Sequence, residues 1–131
     1  MRTIKFRAWD KKARQMARVM SLTQMEQTPL TLIKYGTELD EKAWAIPSEQ
    51  LEVMQFTGLL DKNGKEIYEG DIVRHTFISG DQEVGRIVWN EGSARFVWYA
   101  RDAGDGYGMQ RKDDGDREVL GNIHENPELL K

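Results

Sequence analysis

Acidic side chains are the most numerous charged groups in this chain that could support chemistry, with 22 acids against 19 lysines and arginines. Two polar runs, Asp102–Gly106 and Asp113–Asp116, have the composition of calcium loops. An EF-hand loop needs alternating oxygen ligands, then a glycine and a distal acid, and neither run has that spacing. A third group, Glu66, Glu69 and Asp71, forms an acidic corner of a kind that is common in turns. We interpret all these acids as solvated loop groups.

Metal-binding residues are scarce in the sequence. The chain of 131 residues has no cysteine, which excludes disulfides, thiolate metal sites and a cysteine nucleophile. Its two histidines, His75 and His124, lie in separate predicted strands, and no third ligand has a suitable spacing. The sequence therefore predicts no metal site and no cofactor.

Motifs for nucleotide binding and nucleophilic catalysis are also missing from the sequence. Gly104, Gly106 and Gly108 are spaced too closely for a dinucleotide-binding fingerprint, and no helical pattern follows them. None of the serines lies in a Gly-x-Ser-x-Gly elbow. We therefore predict that the protein is not an enzyme. One alternative stays open, an enzyme whose site lies in the polar segment 101–117.

Basic residues are concentrated at the N-terminus. Residues 1–20 hold seven basic groups and one acid, which gives +6, whereas the other 111 residues hold 12 basic and 21 acidic groups, which gives -9. A basic arm can bind phosphates, and an aromatic ring can stack on a base. The candidate nucleic-acid-binding residues are Lys5, Arg7, Trp9, Lys11, Lys12 and Arg14. We favour a structural alternative, in which this arm is a solvated face or docks on an acidic face of another copy.

Alternating apolar and polar residues predict that the basic arm is carried on strands. Residues 2–20 have the pattern of a β-hairpin in which Ile4 and Phe6 point inward. Leu30–Tyr35 is a further predicted strand. In residues 48–56, Ser48 is a candidate cap for a helical turn that begins with Glu49 and Gln50, and the alternative is a strand from Leu51, which the β-branched and aromatic content favours.

The second half of the chain has a stronger strand pattern, with about five strands between residues 65 and 124. Asn63-Gly64 between apolar flanks is typical of a type I′ hairpin turn. Gly85 lies inside a predicted strand, which is typical of a bulge or of the corner of a small barrel. Residues 101–117 have the composition of a long polar loop. The sequence thus predicts a small closed or half-closed β-barrel.

No segment of the sequence has the character of a membrane span or a signal peptide. No apolar run reaches the roughly 18 residues that a spanning helix needs. The first ten residues carry charges but no apolar core of a signal sequence. We therefore expect a soluble cytoplasmic protein without a membrane partner.

Three blocks of the sequence resemble the YopX family of phage and prophage proteins. They are Ile4–Asp10, Met54–Leu59 continued by Asp61–Val73, and Val119–Leu130. The blocks occur in the expected order and together span nearly the whole chain. The resemblance implies a protein that is encoded by a phage or prophage, acts in the bacterial host cell and associates with itself. It brings no catalytic residues, because the family has no established activity.

The resemblance also implies a domain organisation and a partner. The fold class is mainly β, with an N-terminal β-hairpin and oligomerisation region at 1–56 and a C-terminal SH3-like small β-barrel at 57–131 that carries the loop 101–117. We expect a non-enzymatic homo-oligomer that assembles through the hairpin or an open barrel edge. A phage or host protein is a further possible partner, and nucleic-acid binding by the basic arm is the alternative function.

Overall fold

The computed structural model describes residues 2–23, 30–35, 42–100, 107–108 and 115–131. Within these ranges the chain forms eleven β-strands and short 3₁₀ turns, and no α-helix. All strand pairs are antiparallel. The chain divides into two compact units, Met1–Gln55 and Phe56–Lys131. The prediction of a mainly β protein is confirmed.

The first unit is a sheet with the strand order β4-β3-β2-β1-β5. Its strands are β1 Phe6–Asp10, β2 Gln15–Thr23, β3 Leu30–Tyr35, β4 Lys42–Pro47 and β5 Leu51–Leu60. A 3₁₀ turn, Ser48–Gln50, leads into β5, so this segment contains both structures that its sequence allowed. Strand β5 continues past Gln55 into the second unit.

Small side chains form the core of the first unit. Ala8 of β1 faces Ala17 of β2, and both are buried together with Leu51 of β5. Because the alanine side chains are small, larger neighbouring side chains can pack closely over β1 and β2. The larger side chains that pack against this cluster are Val19, Ile46 and Val53.

Ile4 does not have the environment that its sequence position predicts. The strand pattern placed Ile4 inward with Phe6, but its side chain is 57% exposed. Strand β1 begins at Phe6, and residues 2–5 belong to no strand. Because the alternation of faces holds only within a strand, the pattern did not extend to Ile4.

The second unit contains the end of β5 and six further strands. They are β6 Glu66–Tyr68, β7 Asp71–Phe77, β8 Gln82–Asn90, β9 Arg95–Ala100, β10 Tyr107–Gly108 and β11 Gly115–Asn122. Five of them form a sheet with the order β10-β9-β8-β7-β11, and β6 pairs with β5. A 3₁₀ turn, Pro127–Leu130, follows β11.

Trp98 lies at the centre of the second core. Its side chain is 3% exposed and packs with a cluster of buried apolar residues. The members of this cluster are Ile67, Val73, Ile87, Trp98 and Ala100. The indole Nε1 of Trp98 donates a hydrogen bond to the backbone oxygen of Val73 at 3.0 Å. The one polar atom of this large ring is therefore satisfied inside the core.

Gly85 is not the bulge that its sequence predicts, and its alternative place at the corner of a small barrel stays a prediction. It pairs with Val73 of β7 and Ala100 of β9, and neither ladder shifts its register there. A Cβ atom at this position would collide with the backbone carbonyl of Tyr99 and the ring of Trp98. Glycine is required because the indole of Trp98 crosses β8 at this point to reach β7.

The turn at Asn63-Gly64 is present, but the predicted type I′ geometry is wrong. Type I′ needs a positive φ at both central residues. Gly64 has a φ of 82°, whereas Asn63 is not among the described non-glycine residues with positive φ. The Gly64 N–H donates to the Asp61 carbonyl at 3.0 Å, so Asp61 takes the first position and Gly64 the fourth. Aspartate first and glycine fourth is the typical composition of a type I turn.

The polar segment is shorter than the predicted loop 101–117. Gly115–Arg117 belong to β11 and pair with β7 from Phe77 to His75. Tyr107–Gly108 pair with Trp98 and Val97 of β9. These strands are polar and lack the alternation of apolar residues by which a strand is predicted. Pairing with the neighbouring strands stabilises them instead. The remaining loop positions, 101–106 and 109–114, lie outside the described residues.

Candidate functional site

The turn between β1 and β2 carries the most exposed of the predicted site residues, and Asp10 determines its shape. The Asp10 Oδ1 accepts hydrogen bonds from the backbone N–H groups of Lys12 at 2.9 Å and Ala13 at 3.1 Å. The Arg14 N–H donates to the Asp10 carbonyl at 2.7 Å. The buried Asp10 carboxylate thereby replaces the backbone partners that this tight turn lacks.

Three cationic side chains project from this turn. Lys11, Lys12 and Arg14 are all exposed. The Lys11 N–H donates to the Gln50 carbonyl at 3.1 Å, and its Nζ lies 3.4 Å from the Glu49 carbonyl. These contacts hold the turn against the 3₁₀ turn that precedes β5. The result is a positioned cluster of three cations at one end of the β1–β2 pair, which we call the basic turn.

The structure separates the other predicted site residues from the basic turn. Lys5 is exposed and precedes β1, whereas Arg7 and Trp9 are half-buried within β1. Arg7 lies opposite Met54 of β5, and its Nη2 is 3.9 Å from the Met54 Sδ. Arg7 and Trp9 therefore contribute to packing in the sheet. The sequence pattern alone did not distinguish this packing role from ligand binding.

Exposed apolar side chains occur at the opposite end of the β1–β2 pair. Met20 and Leu22 of β2 are 52% and 45% exposed. The ladder between β1 and β2 ends at the pair Arg7–Arg18, so this part of β2 extends beyond β1. Together with Ile4, these side chains form the largest exposed apolar groups of the described part of the first unit.

Asp61 is a buried acid that sequence reasoning did not identify. Its Oδ1 accepts from the N–H groups of Asn63 at 2.8 Å and Lys65 at 2.9 Å, and its Oδ2 accepts from Val119 at 2.9 Å. Burial raises the pKa of Asp61, but these hydrogen bonds outweigh it and hold the pKa below its usual value. Aspartate at the first position of a type I turn was the available signal.

Asp71 has a similar structural role in the second unit. Its side chain is 1% exposed, and its Oδ2 accepts a hydrogen bond from the Tyr68 N–H at 2.8 Å. The predicted acidic corner therefore contains one buried turn anchor, while Glu66 and Glu69 are half-buried beside it.

Glu118 is at the centre of an ion-pair group on the surface of β7 and β11. It lies opposite Arg74 in the ladder and accepts a hydrogen bond from the Arg74 Nη2. Its Oε2 is also 3.5 Å from the Lys62 Nζ. The hydrogen bond from Arg74 lowers the pKa of Glu118 below its usual value. This pairing depends on strand register, so the sequence contained no signal for it.

The two histidines have different structural environments. His75 is 4% exposed, with its ring centroid 4.4 Å from that of Phe77 and 5.6 Å from that of Trp98. The backbone N–H of His124 donates to the Asn122 side chain at 3.0 Å. The described residues include no group of three or more histidine or acidic side chains placed to hold a metal ion. Among the same residues, we find no helix with the length and hydrophobicity needed to cross a bilayer.

Comparison with known proteins places this architecture in a family. Protein EF1440 from Enterococcus faecalis has a crystal structure that aligns over 100% of both chains, with a TM-score of 0.69 and 28% sequence identity. No curated protein matches the chain significantly. The family model described as YopX protein matches residues 5–131. The sequence resemblance is thereby confirmed, and the chain belongs to the YopX family.

Proposed function

We propose that this protein is a non-enzymatic interaction module that assembles with itself. The observation that carries the proposal is the basic turn, which presents Lys11, Lys12 and Arg14 on a chain in which residues 21–131 sum to -9. Copies of such a chain have complementary charges, which favour and orient their association. The exposed Met20 and Leu22 add apolar area that association would remove from water.

The buried acids support a role without catalysis. Asp10, Asp61 and Asp71 each accept backbone hydrogen bonds that hold turns in place. These hydrogen bonds explain why the three carboxylates are buried, so a catalytic role is not needed to explain their burial. The polar residues in the interior thus stabilise the fold, which leaves the surface as the place of function.

Light scattering coupled to size exclusion tests the proposal on the full chain. We expect an oligomer at micromolar concentration and low salt, with a shift toward smaller species as salt screens the charges. A monomer under all these conditions would show that the proposal is wrong.

A second candidate function is nucleic-acid binding, which the exposure of the basic turn favours. Three cations held on one turn can contact successive phosphates. The participation of Arg7 and Trp9 is less favoured, because both are half-buried in the sheet, whereas Lys5 is exposed. In this function the turn supplies the phosphate contacts and the binding is not specific to base sequence.

A double charge reversal tests nucleic-acid binding. The variant Lys11→Glu/Lys12→Glu should weaken binding to single-stranded DNA or RNA and lower the slope of log affinity against log salt by about 1.4 or more. The control Lys65→Glu reverses an exposed lysine in the second unit and should leave both quantities unchanged. Absence of binding by the natural chain at low salt would reject this candidate.

We also propose that residues 57–131 form an SH3-like barrel. Three backbone hydrogen bonds of 2.8 Å support it, because they join segments outside the regular ladders: Lys62 N–H to Arg117, Gly70 N–H to Ile87 and Ile123 N–H to Gly70. Such bonds connect the β5–β6 segment to β11 and to β8 and curve the sheet. A crystal structure tests this, and an open, flat sheet would contradict it.

Phage or prophage origin and a cytoplasmic location complete the proposal. Both rest on membership of the YopX family and on the sequence composition. The genes that flank this one test the origin, and fractionation of the host cell tests the location. A pull-down from infected or induced cells would identify a phage or host partner if association with another protein replaces self-association.

A further inference from the structure

Strand β4 (Lys42–Pro47) is the terminal strand of the first sheet. Its one neighbour in the described part of the chain is β3, with pairs that run from Leu30–Pro47 to Tyr35–Lys42. A terminal strand leaves a row of backbone N–H and C=O groups that another strand can bind. This edge is therefore a surface on which backbone pairing can continue the sheet.

Pro47 determines which backbone groups of β4 point outward. Proline has no N–H, so the pair Leu30–Pro47 cannot be a hydrogen-bonded pair of the antiparallel ladder. Hydrogen-bonded and non-hydrogen-bonded pairs alternate along such a ladder. Lys42, Trp44 and Ile46 therefore bond to β3, and the N–H and C=O groups of Ala43 and Ala45 point to the open edge.

We infer that a second copy of this chain binds along the β4 edge, antiparallel to β4, with a two-fold axis at Trp44. Ala43 of each copy then pairs with Ala45 of the other, and the two pairs make four backbone hydrogen bonds. The assembly is isologous, because the same strand forms both sides of the interface. The inference rests on the proposed self-association and names its surface.

The sequence of β4 favours a second copy over an unrelated strand. Ala43-Trp44-Ala45 has the same order in both directions, so the two copies present identical hydrogen-bonding positions to one another. Lys42 is placed opposite Ile46 of the other copy, and no two like charges face each other. A lysine before the paired residues and a proline after them are features that limit further pairing at an edge.

Single cysteines test the proposed register, because the natural chain has none. The variants Ala43→Cys and Ala45→Cys place one thiol at each member of the pair. An oxidised mixture of the two should form a disulfide-linked dimer, because paired Cα atoms are about 5.5 Å apart. Each variant alone should form at least several-fold less cross-linked dimer, because residue 43 faces residue 45 of the other copy and two identical cysteines do not face each other.

A third cysteine variant is the matched control for random collision. Ser93→Cys places an exposed thiol on the β8–β9 turn, far along the chain from β4. Its cross-linking rate with Ala43→Cys gives the background for the mixed sample. A mixed rate for Ala43→Cys with Ala45→Cys that does not exceed this background would overturn the inference.

The variant Ala45→Pro tests the backbone hydrogen bonds. It removes an N–H that points to the open edge, and proline is tolerated on an edge strand in that orientation. We expect unfolding by heat to change little and the dimer to weaken about tenfold or more, since two of the four hydrogen bonds are lost. A folded Ala45→Pro chain that dimerises as the natural chain does would overturn the inference, and if this variant does not fold, the cysteine mixture decides.

The outcomes distinguish failure of the β4 interface from failure of the proposed self-association. A natural chain that is monomeric contradicts both the self-association and the β4 interface. A natural chain that associates without a specific mixed disulfide leaves the self-association intact and shows that the β4 interface is wrong. A mixed disulfide above background together with a weakened Ala45→Pro dimer supports both.

Discussion

Single polar side chains hold the turns of this molecule. Asp10, Asp61 and Asp71 accept backbone N–H groups, and Asn90 and Asn122 use their amide oxygens in the same way. These side chains are short enough to reach the backbone of residues close by in the chain, which is why they are favoured in turns. Three of the turn anchors are buried acids, and the pKa of one of them, Asp61, is lowered, so part of the stability depends on the ionisation of Asp61.

Asp61 gives the first prediction at this scale. The variant Asp61→Asn should lower the free energy of unfolding by about 1–3 kcal/mol at neutral pH, because the carboxylate accepts three N–H groups and an amide offers one oxygen. Urea titrations measure the loss. The control Glu91→Gln, on an exposed turn, should have no effect beyond about 0.5 kcal/mol.

The pH dependence of the Asp61 effect follows from its lowered pKa. A carboxyl with a lower pKa in the folded state than in the unfolded state stabilises the protein above the unfolded pKa. This contribution is lost as the pH falls through the folded pKa. The difference between the natural chain and Asp61→Asn should therefore shrink in acid, below the ordinary aspartate pKa of 3.8. A difference that is constant across this range would contradict the assignment.

Gly85 gives the second prediction at the residue scale. The variant Gly85→Ala should destabilise the chain by about 1–3 kcal/mol, because the added methyl group overlaps the Tyr99 backbone and the Trp98 ring. Near-ultraviolet circular dichroism should also change as the indole moves. The control Gly92→Ala is matched in chemistry, since its Cβ would lie 3.4 Å from the Asn90 side chain in ordinary contact. Equal stability of both variants would contradict the packing argument.

At the scale of elements, the molecule uses the same hairpin connection twice. Four residues separate Asp10 from Gln15 in one hairpin and Asn90 from Arg95 in the other, and these flanking residues pair in both. In both, the first flanking side chain accepts a hydrogen bond from the turn. The fourth connecting residue has a positive φ, 53° at Arg14 and 51° at Ala94.

Ala94 supports a prediction for this connection. A left-handed backbone conformation costs a non-glycine residue about 1–2 kcal/mol, and glycine avoids this cost. Glycine loses more entropy on folding, which cancels about 0.5–1 kcal/mol of the gain. The variant Ala94→Gly should therefore stabilise the chain by up to about 1 kcal/mol, measured by urea unfolding. Ala13→Gly, in the other turn at a residue without positive φ, should be neutral or destabilising. Destabilisation by Ala94→Gly would contradict this view.

At the scale of the whole molecule, the uneven charge is the property that links structure to assembly. Residues 1–20 sum to +6, of which the basic turn supplies three charges, while the other residues sum to -9. Attraction between the basic residues of one copy and the acidic residues of another is long-range and is screened by salt.

Charge reversal at the basic turn gives the prediction at this scale. The variant Lys11→Glu/Lys12→Glu changes +6 to +2 in the first 20 residues, and it should weaken self-association about tenfold at low salt. The difference from the natural chain should narrow at high salt, which sedimentation measures. A variant that associates as the natural chain does at every salt concentration would show that charge does not drive assembly.

Much of the local structure could be predicted from the sequence because it depends on neighbouring residues. The strand Leu30–Tyr35, the strands β7, β8 and β9 and the position of the turn after Asp61 followed from alternation and turn composition. The predicted turn type at Asn63 was wrong because Asp61 takes the first position of the turn and Gly64 the fourth, and the Asp61 carboxylate binds the Asn63 N–H.

The sequence by itself determined the mainly β class, the family and the polarised charge, since each is a property of composition or of residues close in the chain. Tertiary structure decided that Gly85 makes room for Trp98, that Glu118 pairs with Arg74, and that β4 is the terminal strand of its sheet among the described residues. These features depend on strand register and strand order. Register joins residues that are far apart in the chain, and no local pattern records which of them will meet.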